Sequence, residues 1–105
     1  MNIKYGIELS LAANTDLDDI FAYIADVSLS GEIAKNLMLE IHEAILSLGE
    51  MPQRFARSFD PTLAAKGYRR LNVKKYIILY SIDEQNKIVT IARIFHSSRN
   101  YEKYI

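Results

Sequence analysis

Cysteine is absent from this 105-residue chain, which excludes disulfides, thiolate catalysis and cysteine-ligated zinc, and is compatible with a reducing cytosol. Histidine occurs only twice, at His42 and His96, too few for a histidine-rich metal site. Asp16, Asp18, Asp19 and Asp26 lack the spacing of an oxygen-ligand cluster and are expected to form the wet face of a helix. Neither a metal nor another cofactor is expected. No apolar run approaches the roughly 20 residues of a membrane span. The opening MNIKYGIELS also lacks the basic start and long apolar stretch of a signal peptide. A soluble, cytoplasmic protein without membrane contact is expected, of a size for one domain over residues 1–105, with 50% hydrophobic residues to build one modest core.

The charge is divided rather than mixed. Residues 66–105 hold nine Lys or Arg against three Asp or Glu, and residues 1–65 hold four against ten, so a net charge of zero is +6 set against −6. A basic, tyrosine-rich last third joined to an acidic first part suggests a surface that faces a polyanion or an acidic partner.

Periodicity places the elements. Ile3, Tyr5, Ile7 and Leu9 alternate with polar or small residues, as in a half-buried strand. Thr15 with Asp18 resembles a capping box, and Leu17, Ile20, Phe21 and Ile24 follow at helical spacing, predicting a helix over 15–27. Ser30 and Glu32 open a second helix whose apolar stripe runs through Ile33, Leu37, Ile41, Ala44, Ile45 and Leu48 until Gly49 and Pro52 stop it. Residues 51–66 read as a long irregular connection with a short strand near Phe55 to Phe59. Tyr68 to Val73, Lys75 to Ile82 and Lys87 to Phe95 read as three strands, the second so apolar that both its faces should be covered. The ten residues from His96 onward form a tail. The expected fold is α+β: an N-terminal strand on the sheet edge, a two-helix antiparallel hairpin, then a three-stranded antiparallel meander with the helices on one sheet face.

The register bears on function. If Ile77, Leu79 and Ser81 share a face, a tight turn at Lys74 and Lys75 adds Arg70 and Asn72, and the turn after Asp83 adds Ile91 and Arg93. Arg70 and Arg93 would then meet on the less covered face. Arginine forks recognise phosphate and a nearby histidine moves a proton, so Arg70, Arg93, Arg99 and His96 are the catalytic candidates for phosphodiester cleavage. Each has a plainer alternative as a solvated charge or a packed histidine. Tyr76, Ile78, Tyr80 and Ile82 lie on the other face, packed against the helices. Lys74, Lys75 and Tyr101 are left as binding candidates.

The stretch Gly67-Tyr-Arg-Arg-Leu71, the segment Tyr76-Ile-Ile-Leu-Tyr-Ser-Ile-Asp83 and the ending Ile91-Ala-Arg-Ile-Phe-His-Ser-Ser-Arg-Asn-Tyr101 resemble the RelE/ParE toxin superfamily. The first half matches it in pattern through Asp18-Asp-Ile-Phe-Ala-Tyr-Ile24. The resemblance implies the toxin of a type II toxin–antitoxin pair, silenced in a hetero-oligomer by a cognate antitoxin. RelE-like members cleave messenger RNA on the ribosome, whereas ParE-like members poison DNA gyrase. Ile77 and Ser97 stand where RelE has arginines, which removes phosphate-stabilising cations and tilts the expectation toward gyrase. His96 matches the C-terminal histidine of other RNA-cleaving members and keeps the endoribonuclease alternative open. A superfamily member without toxicity, serving as a binding module or corepressor half, is a third possibility.

Overall fold

The structure, a computed structural model, describes residues 4–28 and 30–98. Strand β1 (Gly6–Leu9) leads through Ser10 into helix α1 (Leu11–Ser28), and helix α2 (Gly31–Ser47) follows. A 3-10 turn (Pro52–Arg54) and a short helix α3 (Pro61–Ala65) precede the strands β2 (Arg69–Val73), β3 (Tyr76–Asp83) and β4 (Ile88–His96). The sheet order is β1-β4-β3-β2, with β1 parallel to β4 and the other pairs antiparallel. The expected α+β arrangement is therefore present, with β1 at the edge and the apolar β3 in the centre.

Helix α1 starts four residues earlier than its sequence suggests. Ser10 rather than Thr15 caps it, its Oγ accepting from the Ala13 N–H at 3.0 Å while its carbonyl accepts from Asn14. That cap satisfies amides a first turn leaves without partners. For α2 the expected Ser30 is the cap, with its Oγ 3.3 Å from the Ile33 N–H. The far end of α2 is closed by Arg54, whose guanidinium donates to the carbonyls of Ser47, Glu50 and Met51 and complements the negative end of the helix. Residues 51–66, expected to be irregular, contain α3. Asp60 caps it through the Leu63 N–H and Pro61 occupies its first turn.

Two cores lie on opposite faces of the sheet. On one side, Ala13, Ile20, Ile41, Ile45 and Leu48 of the helical layer pack on Tyr76, Ile78, Tyr80, Val89, Ile91 and Ile94. On the other, Leu63 and Tyr68 pack on Ile77, Leu79 and Phe95. Ile77 and Leu79 are only 2% and 1% exposed, so the less covered face carries a second, smaller core and β3 is covered on both sides, as its apolar run predicts. At 0% exposure, Tyr80 needs a partner for its hydroxyl, which donates to the Pro52 carbonyl at 2.6 Å. Burial pushes the Tyr80 phenol up to about 12.

The meander register agrees with the sequence on one side and departs from it on the other. Val73 pairs with Tyr76, so Lys74 and Lys75 do form a two-residue turn, with Lys74 left-handed at φ 55°. A glycine or asparagine would fill that position at roughly 1 kcal/mol less cost. On the other side, Leu79 pairs with Arg93 but Tyr80 pairs with Ile91, leaving Ala92 as a bulge. The bulge corrects one expectation: Ile91 turns to the helices while Arg93 remains on the face of Leu79.

Strand β1 covers β4 only as far as Ile91. Beyond that point the helix supplies the partners. Ser10 N–H donates to the Ile91 carbonyl and Ser10 Oγ to the Ala92 carbonyl, and the Asp16 carboxylate accepts from the Ile94 N–H at 2.9 Å. Asp16, expected on the wet face, is instead the residue that fastens α1 to the sheet.

Two outcomes follow from these contacts. Asp16→Ala should cost about 2–3 kcal/mol of unfolding free energy, because it strands a half-buried guanidinium as well as an amide; urea titration measures it, and a loss below about 0.5 kcal/mol would contradict the docking role. Tyr80 should ionise only well above the ordinary phenol range. Its native value lies above the unfolded one, so its contribution is complete below pH about 10 and is lost as pH rises from there through about 12. Stability against alkali should therefore fall less steeply in Tyr80→Phe, which is itself destabilised at neutral pH by about 1–2 kcal/mol.

Candidate functional site

Among the described residues, the tightest ion pair joins α1 to β4. Arg93 Nε and one terminal nitrogen each lie 2.8 Å from the two Asp16 oxygens, a bidentate fork with the guanidinium 22% and the carboxylate 11% exposed. The alternation of β4 points Arg93 away from the helices. The strand edge is bare of β1 at this level, so the side chain can fold around it to reach α1. A pairing of this kind, largely withdrawn from water and sharing its carboxylate with a backbone amide, holds both partners in one geometry.

Arg93 and Asp16 form one wall of a cleft of 610 Å³ that continues along Asp19, Ile20, Tyr23 and Tyr76 to His96 and Ser98. His96, the last residue of β4, pairs with Tyr76 and meets its ring edge-on, with centroids 5.4 Å apart. The imidazole Nδ1 accepts from the Ser98 N–H at 3.1 Å and lies 2.8 Å from the Ser98 hydroxyl. With Nδ1 occupied as an acceptor, the neutral ring carries its proton on Nε2. In that tautomer Nε2 can donate a hydrogen bond to a bound group but cannot take a proton from it.

Arg70 stands elsewhere. It pairs with Leu79, which pairs with Arg93, so the two arginines occupy one row of one face, about 10 Å apart across two strand spacings. Their side chains diverge. Arg70 donates from Nε to the Arg57 carbonyl at 3.2 Å and lies 3.5 Å above the Phe59 ring, on the β2 side, whereas Arg93 reaches past the β4 edge. The central row between them is apolar: Ile77 is buried against Leu63 and Phe95. Ser97 is exposed and donates its N–H to the Lys75 carbonyl at 2.7 Å.

Lys74 and Lys75 are exposed at the β2–β3 turn, with Lys74 Nζ 3.9 Å from Glu40. Arg99 and Tyr101 lie outside the described residues. The structure thus brings together Arg93 and His96 in one cleft and keeps Arg70 and the two lysines out of it. It adds Asp16, Tyr76 and Ser98, which reading the sequence did not select. Ser98 had a local signal, a hydroxyl two residues beyond a histidine; Asp16 had none, since its partner is 77 residues away. Among the described residues no group of three or more His, Asp or Glu side chains is placed to hold a metal ion, and no helix is long and apolar enough to cross a membrane.

A second groove, of 290 Å³, runs between the outer faces of α1 and α2 and is lined by Leu17, Phe21, Lys35, Met38, Leu39 and His42. Phe21 and Leu39 are 44% and 50% exposed there.

Comparison with known proteins places this geometry. No curated protein sequence matches the chain. The structure is similar to one from the chromosomal ParDE toxin–antitoxin system of P. aeruginosa, with a TM-score of 0.72 and 22% identity over 89% of this chain and 96% of that one. It is also similar to a chain of the RelBE2 toxin–antitoxin complex of Mycobacterium tuberculosis, with a TM-score of 0.64 and 22% identity over 92% of this chain and 95% of the other. Those likenesses establish a shared fold. Residues 7–101 match the family model described as the ParE toxin of the type II toxin–antitoxin system parDE, and the chain belongs to that family of toxins.

Proposed function

We propose that this type II toxin arrests growth by binding DNA gyrase, rather than by cutting messenger RNA, and that a cognate antitoxin silences it in a hetero-oligomeric complex in the cytoplasm. The observation that carries the target is the Asp16–Arg93 fork. Cleavage through attack of a ribose 2′-hydroxyl needs a base, an acid and a cation free to meet the charge developing on phosphate. Here Arg93 is already matched by a carboxylate at 2.8 Å, the central strand offers the buried Ile77 in place of a cation, and Arg70 is turned toward Phe59. A protein-binding inhibitor requires none of these. RNA cleavage is the second reading, and one observation favours it: His96 and Arg93 line the same cleft.

The groove between α1 and α2 supports the antitoxin side of the proposal. Its apolar floor with Lys35 and His42 on the rim suits an amphipathic segment with acidic flanks, and the exposed ring of Phe21 is the natural anchor.

Purified toxin should block gyrase supercoiling and accumulate cleaved DNA while leaving ribosome-bound messenger RNA intact, and His96→Ala should keep arresting growth. Gyrase unaffected by saturating toxin, together with messenger RNA cut by the parent chain and spared by His96→Ala, would transfer the assignment to the endoribonuclease. For the antitoxin groove, Phe21→Asp should weaken the complex by 10-fold or more, the scale of a buried aromatic anchor. Co-purification and titration calorimetry read this, with the melting temperature of the free toxin unchanged. Undiminished affinity would place the antitoxin on another surface.

A further inference from the structure

Three arginines meet where residues 56–58 run along the outer edge of β2. Ser58 N–H donates to the Tyr68 carbonyl and Arg70 N–H to the Ala56 carbonyl, forming an isolated antiparallel bridge in which Arg57 stands directly opposite Arg69. Like charges set opposite one another oppose pairing. Among the described residues, no carboxylate lies within 4.0 Å of any of the three, since the ion pairs there involve Lys4, Lys74 and Arg93. Asp60 is the nearest acid in sequence, and its carboxylate is spent on the Leu63 N–H at the start of α3.

Backbone carbonyls and an aromatic ring hold the cations instead. Arg69 donates to the Gln53 and Phe55 carbonyls and secures the connection beneath it. Arg57 donates from one terminal nitrogen to the Ala64 carbonyl at 3.0 Å, and Arg70 donates from Nε to the Arg57 carbonyl while its guanidinium lies over Phe59. Each contact fixes a guanidinium without neutralising it. Arg57 and Arg70 keep most of their N–H donors and their full charge, already positioned, at an exposed edge.

We propose that Arg57 and Arg70, steadied by Ala64 and Phe59, form a docking site for the phosphate backbone of duplex DNA. Preorganised forks suit phosphate oxygens, and ordering them in advance removes part of the entropic cost of binding. The aromatic residue points to backbone contact rather than base stacking: one face of Phe59 is covered by Arg70 at 3.5 Å, whereas single-strand binders leave such faces free for bases. The site lies apart from the Arg93–His96 cleft, so it contributes phosphate binding without acid–base chemistry. It extends the gyrase reading, because that target holds DNA, but it is tested with DNA alone and the two proposals fail separately.

Fluorescence anisotropy of a labelled 20-base-pair duplex, titrated with the full chain across a salt series, provides the test. Binding should weaken with rising salt. The double variant Arg57→Gln with Arg70→Gln should lower the slope of log affinity against log salt by about 2 and weaken binding at 50 mM salt by about 10-fold or more. Arg57→Lys with Arg70→Lys should retain most of the slope. The control Lys4→Gln with Lys87→Gln removes the same charge at the far edge and should change affinity less than about 2-fold. Melting curves confirm folding, and Phe59→Ala, which removes no charge, should also weaken binding by releasing Arg70 from the ring. No DNA binding at 50 mM salt, equal losses in the lysine control, or displacement of DNA by polyglutamate at equal charge concentration would each overturn the proposal, the last by assigning the surface to acidic peptides.

Discussion

The fold depends on one carboxylate. A four-residue β1 cannot cover the nine-residue β4, so more than half of that strand would present bare amides and carbonyls next to the hydrophobic core, which is both costly and an invitation to foreign strands. Ser10 and Asp16 close the gap with side chains. Ser10 serves twice, as the cap of α1 and as the donor to the bulged Ala92 carbonyl. Asp16 then receives the Ile94 amide and the Arg93 fork together. The helix is thereby locked along the strand, which sets where Ile20 and Ala13 enter the core and where the cleft beside His96 opens.

The same contact reorganises the electrostatics that the sequence displays. The acidic first part and the basic last third are not simply two surfaces: one acid and one base cross the boundary and cancel in a half-buried pair. Lys74 with Glu40 and Lys4 with Glu50, each at 3.9 Å and largely exposed, are weak pairs of the kind worth less than about 1 kcal/mol. At the β2 edge, Arg57, Arg69 and Arg70 stand together without an ion pair among the described residues. Part of the sheet's positive charge thus gathers at its β2 margin.

Local chemistry was legible in the sequence, and long-range chemistry was not. Ser30 announces α2 because a cap works within three residues, and the unbroken apolar run from Tyr76 to Tyr80 announces a central strand because both faces must be covered. Helix α3 was hidden for want of length: five residues give no periodicity, although Asp60 and Pro61 carry a correct start signal. The onset of α1 was misplaced because Thr15 and Asp18 imitate a capping box inside a helix that Ser10 had already begun. The bulge at Ala92 leaves no mark in a run of β-forming residues, so the side of the sheet taken by Ile91 was read wrongly. Asp16 could not be found at all by spacing, since its role exists only once α1 lies against β4.

The bulge and the fork together explain why Arg93 lies in the cleft with His96 while Arg70 stands outside it. Had β4 run without a bulge, alternation would have placed Ile91 and Arg93 on the same side, and the packing of Ile91 against the helices would have drawn Arg93 inward with it. One extra residue instead sends Arg93 to the opposite side, where the exposed strand edge lets it fold around to Asp16. His96, three residues on, falls on the helix side beside Tyr76, and its Nδ1 is claimed by Ser98. A histidine and a carboxylate-paired arginine share the cleft, while Arg57, Arg69 and Arg70 lie beyond the buried row of Ile77 and Leu79. The proposed phosphate-binding edge and the histidine cleft therefore occupy opposite margins of the sheet, separated by that buried apolar row.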